Sequence, residues 1–399
     1  MHPVSSRLPS SPPPIRAKRS RRPFGHSIAS SKEWGIELGR ARVVVDLEAL
    51  CENFARIRSL LPKSVSLLCV VKSNAYGHGA REVSKRLESL GADYLAVSNL
   101  EEARQLREWG IGSSILLLSG LMPWDRPEMV RELDLTLVLH SFSMLERLGE
   151  EKGPIRVHLK LDTGMGRLGF LTEDLPRLLE ELRSRKGIWV EGIMSHFSSS
   201  EKRDEFGLAQ LRTFKEMVES LREGGIVPRF LHMANSAALL NYPEAHFNMV
   251  RVGLALYGYL PSRQLEERLS LKKVMTVTSR VSFIKEFPPG CSLGYGGTFV
   301  TQRRTTVAIV PFGYGDGYPR DLSNKGYVVI KGHPFPIVGM ISMDSMLVDV
   351  TGEDIREGDE VVVLGQGIDA HDLAQLRWTI PYELLCNLPK GVERSIREG

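Results

Sequence analysis

From Leu67 onward the chain alternates short apolar runs with amphipathic stretches, and that alternation restricts the possible folds more than any other feature. The runs are Leu67–Lys72, Tyr94–Ser98, Ser114–Ser119, Leu135–His140, Ile155–Asp162, Trp189–His196, Phe230–Asn235 and Met249–Tyr257. Between them fall helical patterns at Arg81–Leu90, Leu100–Trp109, Pro127–Leu133, Ser143–Gly149, Glu173–Arg183, Glu205–Arg222 and a short Ser236–Leu240. A helix between two strands carries the chain back over the sheet, so the strands pair in parallel. Eight such units close a (β/α)8 barrel whose strands are buried on both faces. One more strand, Arg42–Leu47, precedes the eight and is free to pair elsewhere.

Past residue 272 the pattern changes. Val274–Phe287, Thr305–Val310, Tyr327–Lys331, Pro336–Ile341, Ser345–Val350 and Asp359–Leu364 read as strands, separated by Gly- and Pro-rich turns with almost no helix. A weak helix signal covers Ala370–Gln375. The expected fold class is α/β: a (β/α)8 barrel over residues 39–272, then a mostly antiparallel β-domain over 273–399.

Composition excludes several functions. The net charge is +4, but residues 1–31 alone hold six Arg or Lys and no acid, which leaves a body close to neutral and no case for nucleic acid. Cys51, Cys69, Cys291 and Cys386 show neither CxxC nor metal-ligand spacing, so no metal site is expected. They read as reduced thiols of a cytoplasmic protein. No apolar run reaches membrane-spanning length, and no apolar core of a secretory signal stands at the start. Residues 1–38 are rich in Ser, Pro and Arg and read as a disordered tail, with an organelle transit peptide as the alternative.

Catalytic groups of such barrels lie at the C-terminal ends of the strands. There this chain places Lys72, then Lys160 with Asp162 and Arg167, then His196, Asn235 with Ser236, and Arg251 with Gly253. A lysine held in a partly apolar site has a lowered pKa and becomes an amine nucleophile. The bland alternative is a lysine that snorkels from the barrel mouth. Ser236, with the backbone N–H groups of Gly253 and Leu254, forms a candidate phosphate site after the last two strands. An amine plus a phosphate site fits pyridoxal 5′-phosphate (PLP) held as a lysine Schiff base. It fits equally a barrel aldolase acting on sugar phosphates.

Eight segments resemble those of the alanine racemases, in the family's order, and the resemblance runs over about residues 42–388. The segments are Val70–Gly79, His158–Gly169, His232–Ala238, Arg251–Gly258, Ser292–Thr298, Gly313–Arg320, Ser342–Asp344 and Ile380–Glu383. The resemblance implies a PLP-dependent homodimer that interconverts L- and D-alanine and supplies D-alanine for peptidoglycan. It implies that Lys72 is the cofactor lysine and one acid/base group, and that Tyr295 is the opposite base, contributed across the dimer interface. Arg251 matches the donor to the pyridine nitrogen. Tyr76, Ser236, Gly253, Leu254 and Tyr382 match phosphate contacts, and His196 and Asn235 line the cofactor. Arg167 and the Met343 backbone match contacts to the substrate carboxylate. Lys160 matches a position that is often carbamylated.

Departures fall at Met340, where many members carry arginine, at Ser342, and over Leu388–Arg394. The first two bear on substrate entry. The rival readings are a racemase for another amino acid such as serine, a PLP decarboxylase of similar architecture, and a non-catalytic PLP carrier. The joint presence of the Lys72 and Tyr295 motifs favours racemisation.

Every residue with an implied role lies at or beyond Lys72, far from the tail. A chain starting near Gly35 should therefore keep the kcat/KM and thermal midpoint of the full chain. A loss above about 1.4 kcal/mol in either transition-state or folding free energy, a tenfold effect, would show that the tail packs on the enzyme.

Overall fold

A computed structural model describes residues 39–148, 154–388, 391–392 and 394–398. The tail expected over residues 1–38 lies outside the described residues. Arg40–Gly399 forms one compact unit.

The chain enters through strand β1 (Ala41–Asp46) and a helix, Leu47–Ser59, whose first turn is capped by the Asp46 carboxylate accepting from Ala49 N. Eight parallel strands follow: β2 (Ser66–Val70), β3 (Tyr94–Val97), β4 (Ser114–Leu117), β5 (Leu135–Leu139), β6 (Ile155–Lys160), β7 (Ile188–Met194), β8 (Phe230–His232) and β9 (Met249–Val252). β2 pairs with both β3 and β9, and the remaining strands follow in chain order to β8. Arg251 N donates to Ala234 O at 3.0 Å, bridging β9 to the segment just past β8 and closing the ring. The strands are the eight expected from the apolar runs, with helices where the 3.6-residue patterns stand.

The strands end earlier than the apolar runs, and two of these ends bear on the site. β2 stops at Val70, so Lys72 begins the turn after the strand rather than ending the strand. β9 stops at Val252, because Gly253 (φ −130°, ψ −85°) turns the chain into a 3₁₀ turn at Leu254–Tyr257. Gly258 ends that turn at φ 90°. A Cβ there would lie 2.0 Å from Lys272 O, so only glycine fits.

The second domain is built from β10 (Met275–Arg280), β11 (Phe283–Phe287), β12 (Ser292–Leu293), β13 (Phe299–Val300), β14 (Thr305–Val310), β15 (Tyr327–Ile330), β16 (His333–Pro336), β17 (Met346–Asp349), β18 (Glu360–Leu364) and β19 (Arg394–Arg397). One sheet has the order β16-β15-β18-β10-β1-β19, a second β11-β14-β17, and β12 pairs with β13. Thus β1 joins this sheet, antiparallel to β10 and parallel to β19.

The run Val274–Phe287, expected as one strand, is two. Val281 N bonds to Asp359 O on one sheet and Ser282 N to Ile309 O on the other, so the chain changes sheets between them. The strand expected at Pro336–Ile341 lies earlier, at His333–Pro336. Lys331 (φ 51°) and Gly332 (φ 83°) form a two-residue hairpin turn that sets Ile330 opposite His333. The helix Pro381–Asn387 and strand β19 carried no signal in the sequence reading. One has only seven residues, and the other, Arg-Ser-Ile-Arg, has no apolar run.

Candidate active site

A cavity of about 570 Å³ opens at the C-terminal ends of the barrel strands. Lys72, Tyr76, Lys160, Arg167, His196, Asn235, Ser236, Arg251, Gly253, Leu254 and Tyr382 all line it. The barrel, with the helix Pro381–Asn387, therefore gathers every expected site residue except Tyr295 and Met343.

Lys72 is carried by an unusual backbone. Ser73, Asn74, Ala75 and Tyr76 follow it at φ 52–55°, a left-handed turn made without glycine until Gly77. Each such residue costs roughly 1–2 kcal/mol, so this conformation has to be imposed by its surroundings. His78 is one of the groups imposing it. It is fully buried and stacks on Tyr257 at 4.4 Å, and its Nδ1 lies 3.0 Å from Ala75 O and 2.9 Å from Tyr76 O. Burial lowers the His78 pKa to about 4, so the ring is neutral and donates through Nδ1–H. The Lys72 amine itself has a lowered pKa, first through burial and then through the charge of Arg167.

Arg251 is a buried cation at the centre of the barrel. Nη1 donates to His232 Nδ1 (2.9 Å) and His232 O (3.1 Å). Nη2 donates to Ser195 O (2.8 Å), His196 Nδ1 (3.1 Å) and Met233 O (3.2 Å). Burial lowers its pKa to about 10, still cationic at neutral pH. The bonds fix tautomers in sequence. His232 accepts at Nδ1, so it carries its proton on Nε2 and donates to His158 Nδ1 at 2.7 Å. His158 then carries its proton on Nε2, 3.8 Å from the Glu191 carboxylate, which Tyr94 Oη also reaches at 2.7 Å. Burial, followed by the Arg251 charge for His196 and His232, lowers the pKa of these imidazoles, so all are neutral. Sequence reading gave His158, His232 and Glu191 no role; the spacing of the two histidines on inward-facing strand positions was the available signal.

Ser236 and the turn after β9 line the same cavity as Arg251. Ser236 Oγ accepts from Gly253 N (3.2 Å) and Ala255 N (3.4 Å). A Cβ on Gly253 would meet Tyr76 Oη at 2.5 Å, so the missing side chain is what makes room for the tyrosine hydroxyl. Tyr76 in turn packs on Tyr257 and Tyr382, with ring centroids 5.1 and 5.9 Å away. Asn235 Oδ1 accepts from Ser200 Oγ and from the N–H groups of Ala237 and Ala238, which pins the loop that carries Ser236.

The loop after β6 is organised by Asp162. Its Oδ1 accepts from Gly164 N, Met165 N and Gly166 N, and its Oδ2 from Arg167 N, at 2.9–3.1 Å. Burial alone would raise its pKa, but these four donors hold the carboxyl below its ordinary value. Lys160, 6% exposed, donates to Leu161 O at 3.1 Å. Burial first, and then the charge of Arg251, lowers its pKa to about 7.

Tyr295 and Met343 stand apart from this cavity, on loops of the second domain, 71% and 61% exposed. Gly294 and Gly296 flank Tyr295 at φ 71° and 70°, which sets up the tight turn that presents it. A Cβ on Gly294 would lie 3.3 Å from Met340 N, so the backbone of the residue that departs from the family pattern passes close to this turn. Ser342 Oγ accepts from Ser345 N and closes the Met343 loop.

The fold is a parallel barrel with Lys72, Arg251 and Ser236 gathered at its mouth and a β-domain appended, the architecture of a barrel enzyme. Residues 45–261 match the model of the alanine racemase N-terminal domain, and residues 274–396 that of the C-terminal domain. Similar chains include an alanine racemase of Syntrophobacter fumaroxidans, 41% identical over 90% of this chain and 97% of its own length. Alanine racemase 2 of Caldanaerobacter subterraneus subsp. tengcongensis is 39% identical over 90% and 95%. Among solved structures, alanine racemase of Clostridium difficile 630 superposes with a TM-score of 0.86 at 34% identity, covering 91% of this chain and 97% of that one. An alanine racemase of Bartonella henselae with covalently bound pyridoxal phosphate gives 0.82 at 31% identity, over 90% and 100%. The chain belongs to the alanine racemase family.

Lys160 yields a prediction with a definite sign. Folded, it releases its proton near about pH 7, and unfolded near about 10.4. Between those values the unfolded state holds more protons, so stability rises with pH as the buried charge is relieved. Lys160→Met buries no charge. Its gain in stability over the parent should be larger at pH 6 than at pH 9.5 by at least about 1.4 kcal/mol, the worth of one pH unit. Urea unfolding in carbonate-free buffer measures this, and an equal gain at both pH values would contradict it.

Proposed function

We propose that two copies of the chain share each active site, with Lys72 Nζ on one face of the bound amino acid and Tyr295 Oη of the partner subunit on the other. The reaction is the interconversion of L- and D-alanine, and the cofactor is PLP. When bound, PLP supplies the electron sink that makes the α-hydrogen of the amino acid acidic. Racemisation needs a proton to leave one face and return on the other, which calls for two acid/base groups in opposed positions. Lys72 suits one role, because burial and then the charge of Arg167 lower its pKa and favour the free amine.

The residues of the cavity fit the cofactor. Lys72 would hold it covalently. Tyr76, Ser236, Tyr382 and the backbone of Gly253 and Leu254 would take its phosphate in a cradle that a Cβ at Gly253 would fill. Arg251 would meet the ring nitrogen. An arginine held by five acceptors can donate there but not accept, so it would leave that nitrogen unprotonated and moderate the sink. This favours proton return over side reactions. His196 and Asn235 complete the walls. Arg167 and the Met343 backbone would hold the substrate carboxylate. Lys160, about half uncharged at neutral pH with its pKa of about 7, could add CO2 with loss of a proton, and the resulting carbamate anion would orient Arg167.

A shared site accounts for the exposure of Tyr295 and Met343 in the single chain. The product D-alanine would serve peptidoglycan synthesis, and the free thiols Cys51, Cys69, Cys291 and Cys386 support a cytoplasmic reading. Among the described residues, no helix is long and apolar enough to cross a membrane. The observation that carries this reading is one cavity lined by the half-buried Lys72, the fixed Arg251 guanidinium and the pair Ser236 and Gly253.

Lys72→Ala and Tyr295→Phe homodimers should each lose at least about a hundredfold in kcat. After mixing and reassociation, a heterodimer has one site with both lesions and one with neither, so activity should return. Heterodimers that form but stay inactive would overturn the shared site.

A further inference from the structure

The turn that carries Lys72 runs through positive φ at five successive residues, Ser73 to Gly77. Its interior bonds close it on itself: Ala75 N to Val71 O (2.9 Å), Gly77 N to Ser73 O (3.0 Å) and Gly79 N to Asn74 O (3.0 Å). Like any helical turn it leaves donors at its start and acceptors at its end. One of each meets a charged side chain from elsewhere in the chain. At the start, Ser73 N donates to Glu102 Oε1 at 2.6 Å. The other oxygen of Glu102 accepts from Ser98 N at 2.7 Å, which ties the turn to the end of β3. At the end, Arg394 Nε donates to Gly77 O at 2.8 Å. Arg394 opens β19, and its pairing opposite Val43 of β1 fixes where the guanidinium stands.

A carboxylate on the leading N–H and a guanidinium on the trailing carbonyl both complement the dipole of the turn. Behind the turn lies a second cavity of about 170 Å³, lined by Val71, Asn74, Val97, Glu102 and Trp109. The turn therefore has room to relax if a cap is removed.

We propose that Glu102 and Arg394 are positioning residues for Lys72: they cap the two ends of its left-handed turn and so hold its amine at the mouth of the active-site cavity. This rests on the reading of Lys72 as the cofactor lysine. Neither side chain lines the active-site cavity, so neither is a catalytic residue. The two caps come from opposite halves of the fold, the barrel helix Leu100–Glu108 and the last strand of the second domain.

The test uses the full chain with Glu102→Gln, Arg394→Gln and the conservative Arg394→Lys. Amide hydrogen exchange over residues 72–79 is measured without added cofactor, and alanine racemisation with PLP saturating. In Glu102→Gln and Arg394→Gln, exchange over that segment should quicken about tenfold, and kcat should fall roughly tenfold with KM within about twofold. Arg394→Lys should recover most of both. Faster exchange with unchanged kcat, lost kcat with unchanged exchange, or an Arg394→Lys enzyme no better than Arg394→Gln would overturn the proposal. Should Arg394→Gln fail to fold, Glu102→Gln and Arg394→Lys decide the matter. Lys72→Ala separates the two claims: its turn should stay protected while activity is lost. An active Lys72→Ala enzyme would defeat the reading of Lys72 itself.

Discussion

The buried charge of Arg251 is the constraint around which the active site is arranged. A guanidinium taken out of water is tolerable only with its donors satisfied, and here five acceptors from β8, the segment after β7 and the loop between β8 and β9 converge on it. That cation also acts on its neighbours. With burial, it drives His196 and His232 to the neutral form and helps bring Lys160 to a pKa of about 7. The order of tautomers from Arg251 through His232 and His158 toward Glu191 follows from the same donation. A site built on a fixed donor that cannot give up its proton is suited to moderated proton traffic at one carbon rather than to deep stabilisation of negative charge.

The second constraint is steric and lies in the backbone. Lys72 reaches the cavity because four residues accept the left-handed region, and Gly253 lacks the Cβ that would displace the Tyr76 hydroxyl. The strained turn after Lys72 and the close approach at Gly253 follow neighbouring strands, since β2 pairs with β9. The barrel thus brings the Lys72 amine and Ser236 to one cavity without long connections. β1 and β19 extend the second domain's sheet beside it, and Arg394 of β19 reaches the Lys72 turn.

Much of this was legible in the sequence, for reasons that can be named. The buried parallel strands announce themselves as unbroken apolar runs, as in Leu135–Leu139, and their ends place Lys72, His196, Ser236 and Arg251 around one mouth. The resemblance, not the pattern, singled out Tyr295, an exposed tyrosine between glycines. The change of sheet at Val281–Ser282 was hidden because both halves are equally β-like. The turn at Lys72 was hidden because Ser, Asn, Ala and Tyr do not advertise positive φ; the nearby His78 and the distant Glu102 and Arg394 hold it. Strand β19 was hidden because its neighbour β1 lies about 350 residues away in the chain.

The central claim is that the amine on this strained turn is the covalent anchor of the cofactor. The most direct measurement is borohydride reduction of the enzyme as purified with PLP, followed by proteolysis and mass mapping of the reduced adduct. The account predicts the adduct on Lys72 and on no other lysine, Lys160 included. An adduct on Lys160 or elsewhere, with Lys72 unmodified, would contradict it.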